Sequence, residues 1–105
     1  MALFKTPKDW FAFVTGKKFV RSDNAAIYQF INPMINGGFN LKVLWKGKMT
    51  NTKAEFHTMG SSILKIDEEL FTITAVNIGN RVPQLTDKDT IQTMHKGKEV
   101  MFQRI

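Results

Sequence analysis

Apolar and polar residues alternate most regularly between residues 39 and 50 of the chain. One set of alternate positions is apolar: Phe39, Leu41, Val43 and Trp45. The other set is mostly polar and, apart from Leu44, contains Asn40, Lys42, Lys46 and Lys48. A period of two is the pattern of a half-buried strand, because successive side chains leave the pleated backbone on opposite sides. The pattern predicts one strand with Trp45 in the core and a row of exposed lysines.

Short segments rich in β-branched and aromatic residues predict the other strands, which are expected at 9–14, 19–21, 54–59, 63–66, 70–78 and 99–105. A turn at Gly16 joins the first two of these strands into a hairpin, because glycine tolerates a positive φ. After a polar turn at 51–53, the strand at 54–59 is expected to pair back on the strand at 39–50. An acidic turn at 67–69 joins the next two strands into a second hairpin.

Two segments have the spacing of amphipathic helices. In the first, Ser22 or Asp23 is a good N-cap, because its side-chain oxygen can accept from an unpaired amide of the first turn. An apolar face follows at i, i+3, i+4 and i+7, formed by Ile27, Phe30, Ile31 and Met34. The second predicted helix spans 86–96, where Thr86 opens a capping box and Gly97 is placed to cap the C-terminus.

At 105 residues the chain has the size of one domain, and we predict a single domain over 1–105. Its hydrophobic fraction of 43% is enough for a buried core. Neither predicted helix lies between strands in a regular βαβ rhythm, which argues against a doubly wound fold. We therefore expect an α+β, β-rich domain: an antiparallel or mixed sheet of about six strands, curled into a small barrel, with two short helices.

Cysteine is absent from the sequence, which excludes disulfides and thiolate metal sites. A metal site built on His57 or His95 would have to borrow carboxylates, so we expect no metal and no cofactor. No apolar run is long enough to cross a bilayer, and the first residues lack the apolar core of a signal peptide. We expect a cytoplasmic protein that does not associate with membranes.

The sequence gives little support for an enzyme. The one carboxylate cluster, residues 67–69, lies where a solvated hairpin turn is predicted. None of the serines lies in a nucleophile-elbow setting such as Gly-x-Ser-x-Gly. The glycine pair at 37–38 is not followed by the Gly-Lys-Ser/Thr of a phosphate-binding loop. We therefore predict a protein without catalytic activity.

The whole chain has a net charge of +6, and its positive charge is concentrated in the first half. Residues 1–53 contain nine Lys and Arg against two acidic residues (net +7), and residues 54–105 contain six against seven (net −1). This asymmetry is typical of proteins that bind nucleic acids or other polyanions. The simpler interpretation is that the lysines only keep the protein soluble.

Single-stranded nucleic acids are held by cationic grooves with aromatic side chains on which the bases stack. Tyr28 is the candidate aromatic, on the exposed side of the first predicted helix. The predicted nucleic-acid-binding residues are Lys17, Lys18, Arg21, Tyr28, Lys42, Lys46, Lys48 and Lys53. The expected partner is RNA or another single-stranded nucleic acid. The alternative is a protein-interaction module, such as an inhibitor of a host or plasmid protein, whose basic face binds an acidic partner.

The chain as a whole resembles the PrgU-type small regulators that conjugative plasmids of Gram-positive bacteria carry. The features that carry the resemblance are the length, the basic composition without cysteine, the hairpin at 10–21, the short helix after it, the lysine-rich strand at 39–50 and the closing strand at 99–105. The resemblance implies a PUA-like fold, which is a small mixed β-barrel with short flanking helices. It also implies a plasmid- or phage-encoded regulator that acts on RNA after transcription.

Overall fold

The computed structural model describes residues 4–34, 38–57, 61–76 and 81–105. In these residues the chain forms one helix and eight strands. In chain order they are α1 (Pro7–Val14), β1 (Lys18–Arg21), β2 (Ile27–Pro33), β3 (Gly38–Trp45), β4 (Lys48–His57), β5 (Ile63–Ile66), β6 (Glu69–Ile73), β7 (Thr90–His95) and β8 (Lys98–Arg104). Each strand pairs antiparallel with the next, and β8 returns to β1, so the sheet closes into an up-and-down barrel. The predicted β-rich, barrel-like domain is confirmed, but the strand count is eight instead of six.

Helix α1 occupies the segment for which a first strand was predicted, so that prediction is wrong. Thr6 is the N-cap, and its Oγ1 accepts a hydrogen bond from the amide of Asp9 at 3.2 Å. Pro7 opens the helix at a position where the missing N–H costs nothing, because the first amides of a helix lack partners anyway. Trp10 and Val14 are spaced four residues apart and both are buried. The aromatic content of the segment therefore serves a helix face.

The predicted helix after Asp23 is a strand, β2. Its helical spacing is coincidental, because Tyr28 and Phe30 are the buried positions and they follow a period of two. The pairing of β2 with β1 and β3 outweighs the local helical preference, which is a weak constraint in comparison. Two of the features that carry the resemblance to PrgU-type regulators, the hairpin at 10–21 and the helix after it, are thus other elements here.

The second predicted helix, at 86–96, is also wrong, because it contains strand β7. Gly97 is the second residue of a two-residue turn, Lys96–Gly97, and does not cap a helix. Both residues have positive φ, at 52° and 78°. That is the backbone required by a type I′ hairpin turn, which matches the twist of the flanking strands. In the described residues, α1 is therefore the one α-helix.

The prediction of a polar turn at 51–53 is wrong, because these residues lie inside β4. Lys46 and Gly47, with φ of 51° and 75°, form a second turn of the same type and split the predicted strand at 39–50 into β3 and β4. The acidic hairpin turn before β6 is confirmed, and Asp67 has a positive φ there. The closing strand is confirmed as β8.

Helix α1 fills one end of the barrel. The indole of Trp10 is fully buried, and its ring centre lies 6.2 Å from that of Phe30 and 5.8 Å from those of Phe39 and Phe56. These rings come from β2, β3 and β4, so the helix packs where those strands meet. The end of the barrel opposite α1, which we call the mouth, is bounded by the β1–β2, β3–β4, β5–β6 and β7–β8 turns.

The eight seams of the barrel differ in length. The β3–β4 seam has eight register pairs, whereas the β6–β7 seam has two, Thr72 with Met94 and Ile73 with Thr93. Side chains reinforce the short seam at the mouth, where Nδ1 of His95 donates to the carbonyl of Leu70 at 2.8 Å. In the described parts of the chain, no helix is long and apolar enough to cross a membrane.

Candidate nucleic-acid interface

The turn end of the β3–β4 hairpin exposes an aromatic side chain next to lysines. Alternation places Trp45 on the same side as Val43, but β3 ends there, and 45% of the residue is exposed. The prediction that Trp45 belongs to the core is therefore wrong. The ammonium group of Lys46 lies 4.6 Å from the centre of the indole, and Lys48 pairs with Trp45 across the strands. All residues from 45 to 51 are exposed.

The outward face of β1 to β4 brings together lysines from different strands. The register aligns Lys18, Gln29, Lys42 and Asn51 in one row across the four strands. Neighbouring strands are about 4.8 Å apart, so Lys18 and Lys42 are roughly 10 Å apart. Lys53 is the next outward position along β4 after Asn51. Three of the predicted lysines, Lys18, Lys42 and Lys53, therefore share one face.

Acidic residues are scarce within the strands of this face, and the exception is Glu55 of β4, which lines the same pocket as Lys53. The sequence contains no Asp or Glu between Asp23 and Glu55, a stretch that includes β2, β3 and most of β4. Glu55 is the first acid after it, and its carboxylate lies 3.0 Å from Nε2 of the exposed His57. Apart from Glu55, the charged side chains of β2, β3 and β4 other than His57 are therefore all lysines.

The three remaining predicted lysines do not join the row, and one of them, Lys46, lies in the turn over the indole of Trp45. Lys17 points back to helix α1, where its ammonium donates to the carbonyl of Phe13 at 2.6 Å and lies 4.3 Å from the ring centre of the same residue. Lys48 follows a two-residue turn, so alternation places it on the side of Trp45 and not on that of Lys42. The predicted single row of Lys42, Lys46 and Lys48 is therefore divided between the two faces of the hairpin.

Arg21 lies inside the barrel and does not face solvent, with 5% of the residue exposed. Its five N–H groups make five hydrogen bonds, to both carboxylate oxygens of Asp23, both of Glu69 and the hydroxyl of Tyr28, at 2.5 to 3.3 Å. The guanidinium carbon also lies 5.0 Å from the ring centre of Phe71. Every donor of Arg21 is thus used within the protein.

Tyr28 is buried on β2, which corrects its predicted place on an exposed helix face. Its ring packs edge-on against Phe102 at 5.4 Å. Sequence reasoning missed Glu69 and His95 as partners in this cluster. Nε2 of His95 lies 3.1 Å from Glu69, and its ring stacks on Phe71 at 4.5 Å. Only the inward alternation of β6 and β7 could have indicated this pairing.

The cluster around Arg21 shifts the pKa values of its members. Burial would lower the pKa of Arg21, but the hydrogen bonds that it donates to Asp23, Glu69 and Tyr28 outweigh this effect and raise the pKa. Burial would raise the pKa of Asp23, but the hydrogen bonds and charge of Arg21 lower it below its usual range. The pKa of Tyr28 is raised, mainly by burial, although Arg21 opposes the shift. At neutral pH these three groups therefore keep their ordinary charges.

The described ranges bring no metal-binding cluster together. No group of three or more potential metal ligands comes together in them. Comparisons of the chain with protein-family models, with curated proteins and with solved structures found no match.

Proposed function

We propose that the protein is a non-catalytic nucleic-acid-binding regulator whose ligand is single-stranded, in particular RNA. The observation that carries the proposal is the exposed indole of Trp45 between Lys46 and Lys48, at the turn end of a hairpin whose first acidic residue is Glu55, far along β4. Lys42 and Lys53 extend the positive surface along the same two strands. We therefore assign base stacking to Trp45 and not to the buried Tyr28. Phosphate binding is assigned to the lysines of the hairpin and not to the buried Arg21.

The chemistry of a single strand fits this surface. Lysine ammonium groups neutralise phosphates and release counterions, which makes binding strong at low salt and weak at high salt. An exposed indole stacks on any base, because every base has a π-face, and each such contact contributes about 1–3 kcal/mol. In a duplex the base faces are stacked on each other, so Trp45 has no stacking partner there.

The proposal that the protein acts as a post-transcriptional regulator of PrgU type, with a PUA-like barrel, rests on the sequence resemblance. The supporting features that remain are the length, the basic composition without cysteine and the closing strand β8, because the lysine-rich strand is split into β3 and β4. The all-antiparallel order differs from the mixed barrel that the resemblance implies. A plasmid or phage origin and a cytoplasmic location belong to the same proposal.

Replacing Lys42, Lys46 and Lys48 together by Gln is expected to weaken RNA binding about tenfold or more at low salt. The reason is the loss of three charges that each attract a phosphate by about 1 kcal/mol in water. The dependence of log K on log salt is expected to become shallower by about 2, since each phosphate contact on a single strand contributes about 0.7. Electrophoretic shifts at two salt concentrations measure both effects.

The control for this variant replaces the exposed residues Lys8, Lys88 and Lys98 by Gln, which removes the same charge from other parts of the surface. This control is expected to keep most of the affinity, and both variants are expected to keep the fold, because exposed charges contribute little to stability. Equal losses in the two variants would show that only net charge matters. Unchanged binding in the first variant would refute the proposed interface.

Trp45→Ala is expected to weaken binding of single-stranded RNA about tenfold, because it removes the stacking platform. Met49→Ala is the matched control, since Met49 is an exposed apolar side chain on the same hairpin. Fluorescence anisotropy of a labelled oligonucleotide measures both affinities. If the two variants bind RNA equally well, Trp45 does not stack on bases.

One observation favours the second candidate function, a protein-interaction module. Next to the lysine row, the register aligns four apolar side chains on the outward face: Val20, Ile27, Leu44 and Met49. Ile105, 65% exposed, lines the same shallow cleft of about 120 Å³ as Lys18 and Lys42. Apolar patches with a charged rim are typical of protein interfaces. The partner would be an acidic protein with an apolar contact surface.

The two candidates make opposite predictions for Leu44→Ser. This substitution interrupts the apolar row and leaves all lysines and Trp45 in place. A nucleic-acid-binding protein keeps its RNA affinity after this change, whereas a protein-binding module loses its partner. A pull-down from cells with wild type and variant, combined with the RNA shift assay, separates them: a specific acidic partner that binds only wild type favours the second candidate.

A further inference from the structure

A cleft of about 310 Å³ opens at the mouth of the barrel beside the proposed interface. Its apolar wall is formed by Ala26, Val43 and the indole of Trp45, and its polar wall by Arg21, Asn24, Tyr28 and Glu69. This volume is at the lower end of the range for ligand pockets. The apolar wall and the polar edge together suit a small planar molecule that carries hydrogen-bonding groups.

The polar wall presents an acceptor and a donor side by side. Nη1 of Arg21 donates to Oε1 of Glu69 and to the hydroxyl of Tyr28, both at 3.2 Å, which holds these two oxygens next to each other. A carboxylate is an acceptor with spare lone pairs, and the side chain of Glu69 is 41% exposed. The proton of the Tyr28 hydroxyl has no acceptor among the described residues, although the residue is 95% buried. The Tyr28 hydroxyl can therefore donate a hydrogen bond to a molecule bound in the cleft.

The entrance of the cleft is positively charged, although its floor is not. Trp45 lines the cleft and is flanked by Lys46 and Lys48. A strand whose phosphates contact these lysines has its bases within reach of the mouth. The indole itself is held in place by Nε1, which donates to the carbonyl of Asn24 at 3.2 Å. The β1–β2 loop that carries this carbonyl is in turn fixed by the Arg21–Asp23 ion pair.

We propose that the cleft is a nucleobase pocket, an inference that rests on the proposed function. One base of the bound strand leaves the stack, contacts Trp45 and Val43, and turns its edge to the polar wall. Glu69 accepts from a base N–H, and Tyr28 donates to the neighbouring ring nitrogen or carbonyl. Every base edge offers a neighbouring donor and acceptor. Arg21 is a positioning residue, because its donors are all used to hold Glu69, Tyr28 and Asp23.

The test compares an RNA of about eight nucleotides with an abasic strand of the same length, which keeps the sugars and phosphates. Binding is followed by Trp45 fluorescence, with Trp10 as a constant background in the core. Wild type is expected to bind the abasic strand about tenfold or more weakly. Val43→Phe fills the cleft and is expected to reduce the affinity for RNA about fivefold, without changing the affinity for the abasic strand. Tyr28→Phe is expected to reduce RNA affinity about fivefold, because the donor is lost.

Leu44→Phe is the matched control, since it adds the same ring to the neighbouring residue of β3, which faces outward. It is expected to bind both strands like wild type. If Val43→Phe and Tyr28→Phe both bind RNA like wild type, the pocket is refuted while the proposed function stands. Equal affinity of wild type for RNA and the abasic strand refutes both the pocket and base stacking on Trp45, and leaves only phosphate binding by the lysines. If wild type binds neither strand, the proposed function and the pocket fail together.

Discussion

Trp10→Ala is expected to lower the free energy of unfolding by about 4 kcal/mol, the largest effect of any single substitution proposed for this protein. The indole is fully buried and contacts rings from three strands, so truncation leaves a large cavity where α1 closes the barrel. No hydrogen bond is lost, because Nε1 of Trp10 has no partner in the described residues. The cost is therefore one of packing alone.

Urea unfolding followed by circular dichroism measures this change. Trp45→Ala is the natural control, because it is the same substitution at an exposed site, where less than about 1 kcal/mol is expected. If the two variants lose equal stability, then α1 is not a necessary part of the core. If Trp10→Ala keeps its strands although α1 no longer packs against the barrel, the barrel is stable without the helix.

Arg21→Met is expected to lower the free energy of unfolding by about 3 kcal/mol. Methionine fills much of the space of the aliphatic stem but leaves Asp23 and Glu69 without their shared cation, and removal of one partner from a buried ion pair typically costs 3–5 kcal/mol. The expected value is at the lower end of that range, because both carboxylates reach solvent and are hydrated after the loss.

Arg104→Met provides the comparison. Arg104 pairs with Asp89 at 3.1 Å, but both side chains are about 40% exposed. Such surface pairs contribute about 0–1 kcal/mol. Thermal and urea unfolding of the two variants side by side measure the difference. A loss for Arg21→Met no larger than that for Arg104→Met would mean that the cluster in the mouth contributes little to stability.

Strand positions with clear alternation could be predicted from the sequence, and helices could not. The inward positions Phe39, Leu41 and Val43 were assigned correctly because the core face of a strand has a period of two. The segment of α1 was predicted as a strand and that of β2 as a helix. The two segments differ in their long-range pairing more than in their local composition. The hairpin turns at Lys46–Gly47 and Lys96–Gly97 lack the Asn or Asp that usually precedes glycine in such turns, so the usual sequence signal was absent.

The candidate site was predictable in its charge but not in its geometry. The excess of lysine in the first half of the chain follows directly from counting residues. Which lysines share a face depends on the turn at Lys46–Gly47, whose two residues place Lys48 on the side of Trp45. The burial of Arg21 could not be predicted either, because a basic residue near a loop is ordinarily solvated. Its partner Glu69 lies 48 residues further along the chain, and only the closed barrel brings the two side chains together.

The unequal lengths of the barrel seams have a consequence for dynamics. Local opening of a closed barrel is expected to begin where strand pairing is shortest, which here is the β6–β7 seam with its two register pairs. Amide hydrogens of β6 and β7 at this seam are therefore expected to exchange with deuterium sooner than those of the long β3–β4 seam. His95 of β7 contacts Leu70 and Glu69 of β6, so its side chain is expected to slow this opening by holding the two strands together.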